Sequence, residues 1–150
     1  MDGVLGADEN CQALANAAEL PGIYMAWISG TLEPVTDRID MSGGPFVRPD
    51  GALVAVDWAD LTDGTLEHAI SIDETGVDRS GGAVLQVWTS THHDGSRNTT
   101  QPTGTCKSWT SPEDPDAGLG NLTRTDSAWS FSETGACQSS ARLYCIGTPI

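Results

Sequence analysis

Four cysteines, Cys11, Cys106, Cys137 and Cys145, constrain this 150-residue chain more than any other feature. One stands near the start and three in the last third, so any bridge from Cys11 ties the beginning of the chain to its late part. An even set of four admits three pairings. No two form a CxxC pair. None of the three histidines, His68, His92 and His93, lies at zinc-finger spacing from a cysteine, which argues against a tetrahedral zinc site. Two disulfides fit an exported domain, because such bridges persist in oxidising compartments.

The charge balance points the same way. There are 21 acidic and 7 basic residues, a formal net charge of -14, and Lys107 is the sole lysine. A surface this anionic repels phosphate backbones and acidic membrane faces, so nucleic acid is excluded as a partner and the charge is read as solubility. No apolar run approaches the roughly 20 residues needed to span a bilayer, so direct membrane insertion is not expected. Met1-Asp2-Gly3 lacks the basic start and apolar stretch of a secretion signal. An exported form would therefore carry its signal or anchor upstream. The triplets Asn98-Thr99-Thr100 and Asn121-Leu122-Thr123 match the glycosylation sequon.

One segment reads as helix, "ADENCQALANAAEL", with Asp8 as N-cap, Glu9 at the positive end of the dipole and Pro21-Gly22 as the stop. Cys11, Leu14, Ala15 and Ala18 recur at helical spacing and mark a buried stripe. After it, "IYMAWIS" (Ile23 to Ser29) reads as a buried strand, and "PFVRPDGALVAV" as a hairpin turning at Pro49-Asp50-Gly51. "AVLQVWT" (Ala83 to Thr89), "CKSWTS" and "SAWSFS" are further strand candidates. "ARLYCI" closes the chain with Leu143 and Cys145 on one face. Between these lie long polar segments at Ser42 to Pro45, Asp73 to Gly82, Asp94 to Thr105 and Ser111 to Asp126. Loops of this length are functional or stapled. The whole is one α+β domain, residues 1–150, with an early helix and a loop-rich antiparallel sheet. Of the three cysteine pairings the nested one is preferred: Cys11 on the buried helix stripe with inward Cys145 of the last strand, and Cys106 with Cys137 around the late loops.

These residues resemble the C-type-lectin-like domains, and within them the endostatin branch. "VWTSTHHDGS", "TCKSWTS" and "ACQSSARLYCI" follow the endostatin order: Val-Trp, a DG-type turn, Cys-x-x-Trp, then Cys-x(7)-Cys in the closing strand. "GADENCQALANAAELPGIYMAWIS" with "VRPDGALVAVDWADLTDGTL" is similar to bacterial endostatin-like domains. Some leptospiral surface proteins with such domains bind host matrix and complement components. The resemblance spans Ala7 to Ile146 and implies the nested bridges Cys11–Cys145 and Cys106–Cys137. Two family properties do not carry over. The animal zinc site is built largely from amino-terminal histidines, and no histidine precedes Cys11. Heparin binding needs clustered arginines, whereas Arg38, Arg48, Arg79, Arg97, Arg124 and Arg142 are scattered.

Sugar-binding C-type lectins hold calcium with an EPN or QPD triplet and a WND triplet. Here Gln101-Pro102-Thr103 lacks the third carboxylate or amide, and Trp129-Ser130-Phe131 is no WND. A better calcium candidate is "DWADLTDGTLE", where Asp57, Asp60 and Asp63 recur every third residue. That spacing is not that of an EF-hand, and the competing reading has Asp60 and Asp63 capping turns while Trp58 packs inward. No GxSxG, HExxH or phosphate-binding glycine loop is present. The expectation is an exported, secreted or cell-surface, non-enzymatic module that meets an extracellular protein or glycan without a cofactor. Its candidate contacts are Asp60, Asp63, His92, His93, Asp94 and Arg97, while Trp58, Trp88, Trp109 and Trp129 belong to the core. The alternatives are a calcium-dependent carbohydrate binder and a hydrolase using the His92/His93 loop.

Overall fold

Helix α1 begins at Gly3, well before the expected cap, and ends at Ala17 in a computed structural model that describes residues 2–98, 105–113 and 116–148. Strand β1 (Ile23–Ala26) follows, then the short strands β2 (Phe46–Val47) and β3 (Leu53–Ala55), the one-turn helix α2 (Trp58–Leu61) and β4 (Gln86–Trp88). After a four-residue helical turn at Cys106–Trp109 come β5 (Ala117–Asn121), β6 (Glu133–Gly135) and β7 (Cys145–Thr148). All the sheets are antiparallel: β1 with β7, β2 with β3, and β4-β5-β6 in that order. The class is α+β, and the expected hairpin is in place. So are both nested disulfides, Cys11–Cys145 and Cys106–Cys137, with Cα separations of 5.4 and 5.8 Å.

The small sheets join into one wall. Trp27 N–H donates to the Tyr144 carbonyl, Ser29 N–H to Thr89, and Trp88 N–H to Arg142. Because successive strand residues face opposite ways, this wall separates two cores. On the helix side Val4, Ala7 and Cys11 of α1 meet Ala26, Ile28, Trp88, Cys106, Trp109 and Leu119. On the other side Trp27, Trp129 and Tyr144 pack with Val54, Leu61, Val87, Leu122 and Ile146. Leu143 and Cys145 share the helix face as their alternation requires.

Several expectations are corrected. Asp8 is not a cap: it lies inside α1, where its Oδ1 accepts the Ala26 N–H at 2.8 Å. Arg38 Nη1 donates to both its oxygens at 2.6 and 2.7 Å, and Arg38 Nη2 donates to the Ala26 and Ile28 carbonyls. The clamp locks helix to strand, and the stripe it serves is Val4, Ala7, Cys11 and Ala15, leaving Leu14 exposed. "CKSWTS" is no strand. Cys106, Lys107, Ser108 and Trp109 all have positive φ, a left-handed turn that lets the Trp109 indole N–H donate to the Ser29 carbonyl at 2.8 Å. "SAWSFS" holds a 3-10 turn, Ser127–Trp129, capped by Asp126, rather than a strand.

The segment expected to be a loop from Ser111 to Asp126 contains β5, the middle strand of its sheet. Its glycines hid it. A Cβ at Gly120 would lie 2.1 Å from the Trp129 carbonyl oxygen, and one at Gly118 would lie 2.9 Å from Phe131 and from the Ser90 backbone. Glycine inside a strand marks such close approach of another chain segment.

Candidate functional site

The acidic loop and the histidine loop meet. Asp57 caps α2 by accepting the Asp60 N–H at 2.9 Å, one of the helix's orphan donors, while Asp60 Oδ2 reaches back past the cap to accept the Val56 N–H at 2.8 Å. Asp63 Oδ1 accepts the Thr65 N–H and hydroxyl at 2.9 and 3.0 Å. All three carboxylates are thus engaged by their own loop. Among the described residues no three His, Cys, Asp or Glu side chains gather as a metal site requires. Trp58 packs inward, 5.7 Å from the Trp27 ring.

The histidine loop is a tight hairpin closed by an isolated bridge between Thr91 and Arg97 and by the His92 N–H on Ser96 O. Its tip, Gly95, has φ +86° and sits against Thr36, Trp58 and Trp27. His93 lies over Gly64 at ordinary contact distance from where a Cβ would stand, so the two loops form one face. His92 turns the other way, edge-on to Phe131 with ring centroids 5.3 Å apart. Asp94 Oδ1 accepts the Ser96 hydroxyl and N–H at 2.6 and 2.9 Å, and these bonds with the nearby histidines hold its carboxyl below the ordinary range. Arg97 makes no ion pair among the described residues. His93 is thus brought onto the acidic loop next to Asp63; Asp94 and Arg97 belong to the same hairpin as His93, and Asp60 is directed back at its own backbone.

Beneath this face lies a fully buried hydroxyl network. The Trp27 indole N–H donates to Ser130 Oγ at 2.8 Å, and the Ser130 hydroxyl donates to the Thr91 carbonyl at 2.6 Å. Ser29 and Thr91 hydroxyls share a 2.8 Å bond, and the Thr89 hydroxyl donates to Ser130 O at 2.5 Å. Satisfied networks of this kind rigidify what sits above them.

The same local device recurs in the loops. Asp40 with Ser42, Asp63 with Thr65, Asp73 with Thr75, Asp94 with Ser96 and Asn121 with Thr123 each pair a side-chain oxygen with the N–H and hydroxyl two residues on. Such turns mimic a backbone turn and tolerate irregular chain paths. At Asp73 burial raises the carboxyl pKa, but the Thr75 hydroxyl, the Val77 N–H and the Arg79 guanidinium outweigh it and hold the group far below the carboxylate range. The Asn121 sequon is one of these turns. Asn98 is 1% exposed, so its amide is closed to a glycan in the folded chain. Thr99 and Thr100 of that sequon and the Gln101-Pro102-Thr103 triplet lie outside the described residues.

Sequence reasoning missed an apolar groove of about 1290 Å³ between α1, the β2–β3 hairpin, the 70–79 loop and β7. The exposed Leu14 and Val47 border it, and the buried core residues Val54, Leu61, Val87, Leu122 and Ile146 lie behind its wall. None of Asp63, His92, His93, Asp94 or Arg97 lines it. The sequence signal was weak: Leu14 lay on the presumed buried stripe, yet it opens into the groove. No protein-family model matches this chain, and no curated protein matches it.

Proposed function

We propose that this chain is an exported, non-enzymatic binding module with an endostatin-like version of the C-type-lectin-like fold, engaging an extracellular protein or glycan through the Asp63/His93 face. The observation that carries this reading is the contact of His93 with Gly64, which fuses two separately pinned loops into one presented surface. Loops held on a rigid scaffold are where binding function concentrates. The fold reading is supported by a bridge from the first helix to the last strand, an inner bridge around the late segment, and the antiparallel pairing of β1 with β7. Export is supported by the two disulfides, since these bonds belong to oxidising compartments.

Surface plasmon resonance against immobilised extracellular-matrix proteins, together with a glycan array, tests the reading. At least one partner is expected to bind saturably, and His93→Ala or Arg97→Glu is expected to weaken it by roughly tenfold, the effect of one well-placed polar contact. Neither substitution removes a turn-forming carboxylate, so folding is spared. Binding that both variants leave undiminished would reject this face, and an array with no binder at all would reject the module.

A further inference from the structure

The strand pair of β1 and β7 has two edges, and the chain closes only one of them. In an antiparallel ladder alternate residues turn their N–H and C=O groups toward the partner strand, and the others turn them away. Trp27 N–H donates to the Tyr144 carbonyl, and Met25 stands opposite Ile146 in the same register, so these residues face across the pair. Tyr24 and Ala26 face away from β7 and toward α1. There the Tyr24 N–H donates to Gln12 Oε1 at 2.9 Å and the Ala26 N–H to Asp8 Oδ1 at 2.8 Å, while Arg38 donates to the Ala26 carbonyl. Their cross-strand neighbours, Gly147 and Cys145, therefore direct their own backbone groups away from β1. Among the described residues these outward N–H and C=O groups have no hydrogen-bond partner.

That open edge faces the groove. Every residue from Arg142 to Thr148 lines it. Cys145 and Gly147 are half-buried, whereas Tyr144 and Ile146 beside them are 3% and 6% exposed, so the surface on offer is the strand's edge rather than its core side chains. From Leu143 to Thr148 the edge also lacks the charges and prolines with which exposed strands repel another strand. The rest of the lining is mixed in charge, with Arg48, Arg79 and Arg142 against Asp73 and Glu74, and selects no ion. What it presents is donor and acceptor repeated every second residue, a spacing of ~6.6–6.8 Å that a second strand matches and an acyl chain does not. Cys145 belongs to the core on the helix side and Ile146 to the core that holds Phe46. A strand added beside them continues both faces, toward exposed Leu14 on α1 and exposed Val47 on β2, so apolar side chains suit it on both. A second copy would bring another charge of -14 against this one, which opposes self-pairing.

We infer that the β7 edge is a strand-addition site, where an extended apolar segment of a different polypeptide pairs with Cys145 and Gly147 inside the groove. The site is separate from the loop face and does not depend on it.

Amide hydrogen exchange followed by nuclear magnetic resonance tests the edge before any ligand is added. The Cys145 and Gly147 amides should exchange roughly tenfold faster or more than the Ile146 amide between them, the worth of one hydrogen bond. Equal protection of all three would show an edge already satisfied and overturn the inference. The capped peptide Lys-Lys-Val-Ala-Val-Thr-Val-Lys-Lys should then bind saturably and slow exchange at Cys145 and Gly147. A copy N-methylated at its central residues should bind roughly tenfold more weakly, because it cannot complete the ladder. Leu14→Gln and Val47→Thr, on exposed rim residues, should each weaken the peptide and leave the alternating exchange of the free chain intact, while His93→Ala should leave peptide binding unchanged. Absence of saturable binding, or binding that N-methylation leaves undiminished, overturns the inference. So does protection of Cys145 and Gly147 that grows with protein concentration alone, which would assign the edge to a second copy.

Discussion

The two cores on either side of the strand wall are secured by different chemistry. The helix side carries both disulfides: Cys11 and Cys106 are buried within its cluster, and Cys145 and Cys137 pack against it. The other side has no covalent staple. It rests on the Trp27, Trp129 and Tyr144 rings and on loops whose carboxylates accept their own backbone N–H groups. A bridge fixes the chain's ends and is indifferent to pH, whereas a turn built on a carboxylate is weakened when that group is protonated. The net charge of -14 is thus more than a solubility device, since much of it builds the loops.

Removing the outer bridge breaks the stapled side most severely. Cys11→Ala with Cys145→Ala frees a loop with a sequence separation of 134, which in the chain-entropy model costs about 4–5 kcal/mol. Cys106→Ala with Cys137→Ala, spanning 31, should cost about 3–4 kcal/mol. Denaturant titration of both pairs gives the order directly. A greater loss for the inner pair would show that the bridges act through the left-handed Cys106–Trp109 turn rather than through chain entropy.

Asp8 sharpens the same side without touching a cysteine. Its carboxylate and the Arg38 guanidinium are each 14% exposed. Removing one partner of such a pair strands the other charge, so Asp8→Ala should cost about 3 kcal/mol by the same titration. Arg38→Met, which removes the stranded charge when combined with Asp8→Ala, should recover part of that loss.

Legibility in the sequence followed the same division. The stapled side was readable because cysteines, a helical stripe and β-branched runs are positional signals, and Cys11, Cys145 and Leu143 fell where periodicity put them. Even there, Asp8 deceived: a carboxylate before a periodic apolar run reads as a cap, and only the distant Arg38 makes it a clamp. Strand β5 was invisible because its composition, Ala-Gly-Leu-Gly-Asn, is that of a loop, and the need for Gly118 and Gly120 arises from Phe131 and Trp129 in tertiary contact. On the loop side the reading of Asp60 and Asp63 as carboxylates bonded to their own backbone was legible from the turn chemistry of aspartate, as was Trp58 packing inward. The meeting of His93 with Gly64 and the groove depend on how non-adjacent loops dock, which no local pattern records.

Acid should act on the loop side first. Asp40, Asp50, Asp73, Asp78, Asp94 and Asp126 all have pKa values lowered in the folded chain, and all lie on this side. A lowered folded pKa stabilises fully above the unfolded value of about 4 and is lost as pH falls through the folded one. The melting midpoint should therefore hold steady from pH 7 to about 5, where protonation elsewhere mainly relieves net repulsion, and drop below about 4. Hydrogen exchange at pH 3 should open the 40–80 and 92–97 amides before those of α1. Simultaneous opening of both would mean that the wall couples the cores into one unit.

The smallest effect separates charge from geometry within a single turn. Asp94→Asn keeps an oxygen for the Ser96 N–H and hydroxyl, while Asp94→Ala removes the acceptor altogether. If the loop is held by hydrogen-bond geometry, Ala should cost about 1 kcal/mol and Asn less than about 0.5, because Asn forms the same side-chain turn. The Asn variant should also lose this residue's share of the acid-sensitive stability, since the amide does not titrate. Equal losses for Asn and Ala would instead assign the turn to the attraction between the Asp94 carboxylate and His92 and His93, and raising the salt concentration would then weaken the native protein at this loop as well.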